Sequence, residues 1–198
     1  MPDDSRPFRS LFPWAIAIEG GLGVAAVGLG WLLGCPVWDC VPDWRSNNLL
    51  RGFAATLPML AGLWALVSLP WRPFVDLLRV MDELIVPAFR RSSILELAMV
   101  ALLAGLGEEM LFRGVIQRVL ITRLAGPLGV WVGLGVTSVL FGMCHAITKT
   151  YVVLAGVMGL YFGWLLLASG NLLVPITAHT LYDFLALLYL IRRVPSGL

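Results

Sequence analysis

The chain has 198 residues, of which 59% are hydrophobic and 13% are charged, and its formal net charge is +2. Soluble domains carry about 25% charged residues, so this composition predicts a polytopic membrane protein and excludes a soluble enzyme. The small net charge and the absence of a basic stripe exclude a nucleic-acid-binding protein. A membrane helix needs about 20 residues, so the length allows about six spans and no separate soluble domain.

The first half of the chain predicts two spans and one interfacial helix. The spans cover residues 13–34 and 49–69, and the first contains one ionisable group, Glu19, which we expect at the interface or in an ion pair. Residues 73–91 place charged and apolar side chains on opposite helical faces, which is typical of an amphipathic helix in the membrane interface. We expect this helix to end at Pro87 and the basic pair that follows it.

The second half predicts four further spans and no strand, so we expect an all-α membrane helix bundle. Ser93 and Glu96 have the spacing of a capping box at the start of the third span. Pairs of glycines four residues apart predict close helix packing, at Gly129/Gly133 and Gly159/Gly163. The four spans cover residues 94–120, 127–146, 151–168 and 172–191.

Basic residues predict the orientation, because they accumulate on the cytoplasmic side. With the N-terminus inside, nine basic residues lie inside and four lie outside. We therefore expect an integral protein of the cell (inner) membrane with both termini in the cytoplasm. The inside set is Arg6, Arg9, Arg72, Arg79, Arg90, Arg91, Lys149, Arg192 and Arg193, and the outside set is Arg45, Arg51, Arg118 and Arg123.

Three ionisable groups lie near the middle of the third span: Glu108, Glu109 and Arg113. One charge at the centre of a membrane helix costs roughly 2.5–3.5 kcal/mol even on permissive insertion scales. A structural ion pair needs only one glutamate, so the group predicts a functional polar site that faces the bundle interior.

Partners for these charges lie on two later spans. His145 ends the fourth span, with Phe141 one turn before it, and His179 precedes Asp183 by four residues on one face of the sixth. Carboxylates and imidazoles together suit the activation of a water molecule as a nucleophile. The same ligand types could hold a divalent metal such as zinc, with Glu108, His145, His179 and Asp183 as the candidates, although no His-Glu-x-x-His helix of a standard zincin is present.

These residues resemble a known family of intramembrane proteases. Glu108-Glu109-x-x-x-Arg113, Phe141-x-x-x-His145 and His179-x-x-x-Asp183, in this order on three apolar helices, look like the CAAX-protease and bacteriocin-processing (CPBP, or Abi) family. The resemblance covers about residues 92–189. It implies one membrane-embedded domain over residues 1–198, in which residues 92–191 form the catalytic core and residues 1–91 supply two spans and the interfacial helix.

The resemblance also implies a role for each residue. Glu108 would be the general base and would activate water with His145, while Glu109 would support the site and pair with Arg113. His179 and residue 183 would stabilise the oxyanion or orient the scissile carbonyl. Type II prenyl endopeptidases have asparagine at that last position, and an ionised Asp183 cannot donate a hydrogen bond, so we expect it to hold His179 in one tautomer.

The resemblance predicts an intramembrane endopeptidase that cleaves a membrane-associated or lipid-anchored protein or peptide near the surface of the lipid bilayer. Two alternatives have the same polar residues. A small transporter would show ion flux that depends on Glu108, and a non-catalytic scaffold or immunity protein would tolerate substitution of Glu109 and His145. Transporters of this kind usually contain repeated halves, and no such repeat is visible in the sequence. Cys35 and Cys40 could form a disulfide in an oxidising compartment, and we expect them reduced.

Overall fold

The computed structural model describes residues 11–41 and 46–193. All regular secondary structure in these two ranges is helical, which confirms the predicted all-α class. Arg6, Arg9 and Arg45, which contribute to the predicted orientation, lie outside the described residues, as do both termini. The orientation therefore stays a prediction.

Five of the described helices, α1, α2, α7, α8 and α9, are long and apolar enough to cross a membrane. Their exposed surfaces carry large apolar side chains, for example Trp14 on α1 and Trp131 on α7, as expected where a helix faces lipid. The α-helices of the described ranges are α1 (Leu11–Leu32), α2 (Ser46–Ser68), α3 (Arg72–Val80), α4 (Val86–Phe89), α5 (Ile94–Glu109), α6 (Arg118–Leu124), α7 (Gly126–Cys144), α8 (Lys149–Ser169) and α9 (Leu173–Arg192).

The third predicted span differs from the other five. It consists of α5, a π-helical segment over Met110–Gln117 and α6, which follow one another without a loop. It is not among the five apolar spans because α5 has only 16 residues before the helix widens. Wide turns of this kind are frequently found at functional sites, since they change the direction in which side chains leave the helix.

The interfacial segment is also helical and ends at the predicted basic pair Arg90-Arg91, but Pro87 does not end it. A second π-helical segment, Met81–Ile85, joins α3 to α4, and Pro87 lies inside α4 near its start. Proline lacks the amide proton that bonds one turn back, and the helix accommodates this by widening before Pro87 instead of stopping there. Asp82 in this segment binds Arg193 Nη2 at 2.6 Å, which ties the segment to the end of α9.

The helices pack with α7 along α8, α5 between α1 and α9, and α9 also against α2. The predicted close packing at the glycine pairs is confirmed: a Cβ atom at Gly133 would lie 2.8 Å from Ile121 Cγ1, and one at Gly163 would lie 2.5 Å from Gln117 Oε1. Cys35 and Cys40 are both free and buried, beside and within the short 3₁₀ turn Val37–Cys40 that follows α1.

Candidate active site

Helix α5 carries two of the predicted site residues, and its first turn is capped as predicted. Ser93 Oγ accepts a hydrogen bond from the Glu96 amide at 3.2 Å, and the Ser93 amide donates to Glu96 Oε2 at 2.6 Å. This reciprocal capping box satisfies two of the amide groups that the start of a helix leaves free. The helix then continues to Glu108 and Glu109, both of which are buried.

Two glycines in α5 bring neighbouring helices against the backbone beside Glu108. A Cβ atom at Gly105 would overlap Thr180 Oγ1 of α9, and one at Gly107 would overlap the backbone oxygen of Glu19 in α1. The absence of a side chain is therefore required at both positions. The close approach fixes α1 and α9 on either side of Glu108.

Glu109 forms a buried ion pair one helical turn along the chain. Its Oε1 atom accepts a hydrogen bond from Arg113 Nη1 at 2.9 Å, and neither side chain is exposed. Arg113 Nη2 also donates to the carbonyl oxygen of Gly159 in α8 at 3.0 Å. The guanidinium carbon lies 4.4 Å from the centre of the Phe141 ring, a cation–π distance. Arg113 thus connects α8 to the site, while its buried Nε atom has no hydrogen-bond partner among the described residues.

His179 in α9 lies between Glu109 and Asp183. Its Nδ1 atom is 2.9 Å from Glu109 Oε1, and its Nε2 atom is 3.3 Å from Asp183 Oδ2. The imidazole ring also stacks on Phe162 with 4.6 Å between ring centres. Since carboxylates only accept hydrogen bonds when ionised, Glu109 fixes Nδ1 as a donor and directs Nε2 to Asp183 and the interior of the site.

Glu108 has an imidazole on each side. Its Oε1 atom lies 3.8 Å from His145 Nε2, and its Oε2 atom lies 3.9 Å from His179 Nε2. His145 Nδ1 is 2.8 Å from the Phe141 carbonyl oxygen, so this nitrogen is the donor and Nε2 of the neutral ring is an acceptor. Glu108 and His145 therefore present two proton acceptors to the same space.

That space is a cavity of about 300 Å³. Its volume is at the lower end of the usual range for ligand pockets, about 300–1,000 Å³. Its apolar wall includes residues of the interfacial segment, among them Leu77, Met81 and Phe89. The polar side chains that line it are Glu19, Glu108, His145, Tyr151, His179, Tyr182 and Asp183.

The structure does not fit a preformed metal centre. Within residues 11–41 and 46–193, no three histidine, cysteine, aspartate or glutamate side chains are arranged to bind one ion. The candidate ligands Glu108, His145, His179 and Asp183 face one cavity, but Glu108 alone lies between the two imidazoles. None of the proposed reaction steps uses a metal ion.

The structure brings together all the side chains that the sequence predicts for the site. Glu108, Phe141, His145, His179 and Asp183 line the cavity, while Glu109 and Arg113 lie behind it in the core. The roles of these residues stay predictions.

Three polar residues near the site were missed or misplaced by the sequence reasoning. Glu19 lines the cavity with a buried Oε2 atom that has no hydrogen-bond partner among the described residues, whereas we expected it at the interface or in an ion pair. Tyr151 also lines the cavity, and the buried Gln117 donates to the Gly163 carbonyl oxygen at 3.2 Å. The sequence alone could have indicated Glu19 as a site residue, since it is the one ionisable group in the first apolar span.

Comparison with known proteins supports the resemblance seen in the motifs. Residues 90–185, just under half of the chain, match the Rce1-like type II CAAX prenyl endopeptidase family. The chain is also 31% identical over 146 residues, covering 67% of its own length, to an Escherichia coli protein described as an uncharacterized 24.3 kDa protein. It spans 64% of the length of that relative. No solved structure matches the chain.

Proposed function

We propose, from the match of residues 90–185 to the Rce1-like type II CAAX prenyl endopeptidase family, that this integral membrane protein is an endopeptidase working within the bilayer. Its substrate would be a protein or peptide held at the membrane, and a prenyl group on that substrate is not required by the proposal. One observation supports it most directly: Glu108 lies between the imidazoles of His145 and His179 at the wall of a 300 Å³ cavity.

Glu108 and His145 act on the attacking water. The water oxygen forms a bond to the carbonyl carbon of the scissile peptide, and one water proton passes to Glu108 or to the free Nε2 atom of His145. The electron pair of the carbonyl double bond moves to its oxygen. Distances near 3.8 Å between Glu108 and His145 Nε2 leave room for the water between them, and such contacts tighten when substrate is bound.

The second half of the reaction returns the proton. The tetrahedral intermediate collapses, the bond between carbon and nitrogen breaks, and the leaving nitrogen takes the proton that Glu108 or His145 received. The products are a carboxylate and an amine, so one water is consumed and no other reactant is needed. Transfer of that proton to the nitrogen returns Glu108 and His145 to their starting protonation states, and the carboxylic acid product loses its remaining proton to solvent.

His179 positions the reacting groups. Its ring is held by the Glu109 carboxylate at Nδ1 and by the stacked Phe162 ring, so its Nε2 atom has a fixed direction towards Asp183 and Glu108. Asp183 Oδ2 lies 3.3 Å from the same nitrogen, and in the proposed reaction it helps to orient the ring. A group fixed in this way does not have to reorganise during the reaction.

The cavity wall favours a substrate that arrives along the membrane surface. Most of its side chains are apolar, and the interfacial segment forms part of it. A peptide anchored in the bilayer reaches such a cavity by lateral movement, whereas moving a soluble peptide out of water costs free energy. The wall also includes Glu19, so residues 1–91 contribute to the site together with the predicted catalytic core.

The test compares membranes of cells that express the wild type, Glu108→Gln or Glu96→Gln. Glu96→Gln is the matched control, because it makes the same change on the same helix and glutamine also completes a capping box. N-terminal peptide proteomics identifies products that require Glu108, and a synthetic peptide spanning one such bond is then assayed with purified protein in liposomes.

We expect Glu108→Gln to lower kcat by about 10²–10⁴-fold, the usual contribution of a general base, and Glu96→Gln to keep the wild-type rate. Full activity in Glu108→Gln would overturn the mechanism. Ion flux into the liposomes that depends on Glu108, without any cleavage, would favour the transporter alternative instead.

A further inference from the structure

Hydrolysis of a peptide creates a negatively charged oxygen, and the cavity holds few groups that can stabilise it. Stabilisation requires a hydrogen-bond donor that points at the developing charge. The polar groups of the described lining are three carboxylates, two imidazoles and two phenols. Ionised carboxylates only accept hydrogen bonds, so the donor has to be an imidazole or a phenol.

Both imidazoles already have other partners. His145 donates from Nδ1 to the Phe141 carbonyl oxygen, and its Nε2 atom is the acceptor beside Glu108 that the proposed reaction uses. His179 directs Nδ1 at Glu109 and Nε2 at Asp183. A proton on either ring nitrogen of His179 thus faces a carboxylate that competes with the substrate oxygen for it.

The two phenols remain. Within the described residues, neither the Tyr151 hydroxyl nor the Tyr182 hydroxyl has a hydrogen-bond partner, although both side chains line the cavity. The Tyr161 hydroxyl, by contrast, donates to the Ala55 carbonyl oxygen at 3.0 Å and does not line it. Each phenol is therefore a donor at the cavity that the described residues leave available to a substrate.

Tyr151 is the better placed of the two. Its ring lies edge-on to the His145 ring, with 5.6 Å between centres, and His145 Nε2 in turn lies 3.8 Å from Glu108 Oε1. Thr148 caps the first turn of α8 by accepting a hydrogen bond from the Tyr151 amide at 3.0 Å, which fixes Tyr151 across the short loop from His145.

We propose that Tyr151 is a further catalytic residue, whose phenolic O–H donates a hydrogen bond to the oxyanion of the tetrahedral intermediate. The hydroxyl has no partner in the free protein, so it gains one as the charge develops. The inference rests on the proposed function, since it assigns a donor to that reaction.

The test measures cleavage of the identified peptide in liposomes by Tyr151→Phe, Tyr182→Phe and the control Tyr161→Phe. We expect Tyr151→Phe to lower kcat by about 10²–10³-fold with little change in KM, which is the effect of losing one oxyanion donor. Tyr161→Phe should retain the wild-type kcat. A wild-type kcat for Tyr151→Phe, or the large loss in Tyr182→Phe instead, would overturn the assignment.

A binding measurement separates this role from a structural one. A phosphinate analogue of the cleaved peptide carries a tetrahedral anionic centre, and we expect it to bind Tyr151→Phe about 10²-fold more weakly than wild type. The uncleaved peptide should bind Glu108→Gln and the Glu108→Gln/Tyr151→Phe double variant equally. Equal phosphinate binding by wild type and Tyr151→Phe would refute the donor role, whereas the absence of any cleavage dependent on Glu108 would refute the proposed function itself.

Discussion

Arg113 provides a quantitative test of how the buried charges are compensated. We consider three variants: Arg113→Met, which keeps an unbranched side chain and removes the cation, Glu109→Gln, and the double variant. In Glu109→Gln, the amide oxygen can still accept from both Arg113 Nη1 and His179 Nδ1, because one atom, Oε1, accepts both bonds in the structure. That variant therefore removes the charge and keeps the geometry.

The expected energies follow from the burial of the pair. Neither Glu109 nor Arg113 is exposed, and removing one partner of a fully buried pair costs about 3–5 kcal/mol. We expect a loss of that size for Arg113→Met, because Glu109 then keeps a buried charge. In the double variant no charge is stranded, and the main loss is the bond to the Gly159 carbonyl oxygen, about 1–3 kcal/mol. The double variant should therefore be more stable than Arg113→Met.

Thermal unfolding in detergent can be followed with a thiol-reactive fluorophore. Cys35 and Cys40 are buried and free, so they react on unfolding, and Cys144→Ser in all variants removes the exposed third thiol. Burial also raises the pKa of the Cys40 thiol, which further suppresses its reaction in the folded protein. At about 2–4 °C per kcal/mol, Arg113→Met should lower the midpoint by about 6–20 °C. The compensation argument would be refuted if the double variant lost as much stability as the two single variants lose together.

Two further predictions concern the backbone contact and the metal. Gly107→Ala should lower the free energy of unfolding by about 1–3 kcal/mol through overpacking, and lower cleavage on the order of 10²-fold by displacing α1 from Glu108. The control is Gly20→Ala on α1, where a Cβ atom meets nothing within 4 Å. It should be neutral in the same unfolding and cleavage assays. Dialysis against EDTA should leave the cleavage rate unchanged, because no described set of three side chains is arranged to bind one ion; loss of activity that zinc restores would contradict this.

The sequence predicts the membrane class of the protein and the residues that belong to the site, both for one physical reason. Ionisable groups are so costly in lipid that each one inside an apolar span marks a contact with another polar group. Glu108, Glu109, His145, His179 and Asp183 could therefore be assigned to one cluster before any distance was known. The capping box at Ser93 and the glycine contacts follow from equally local rules, and the structure confirms both.

The parts that the sequence does not predict depend on how far each helix is rotated about its axis. The face of α1 that carries Glu19 is set by the contact of its backbone with Gly107, and a span with an almost uniform apolar pattern contains no signal for that rotation. Tyr151 is ambiguous for a related reason, since tyrosine near a helix start is also typical of a membrane interface. The π-helical widening after Glu109 depends on packing around Arg113, which no propensity describes.

The presence of two adjacent glutamates has an explanation in this geometry. Consecutive residues on a helix point about 100° apart, so Glu108 and Glu109 leave α5 in different directions. Glu109 is directed into the core, where Arg113 and His179 compensate its charge, and Glu108 is directed into the cavity, where its Oε2 atom has no hydrogen-bond partner among the described residues. A single carboxylate held by an arginine would be a weak base, and one without any support would leave His179 without a fixed direction. In the proposed reaction the pair separates the two tasks, with positioning assigned to Glu109 and proton transfer to Glu108.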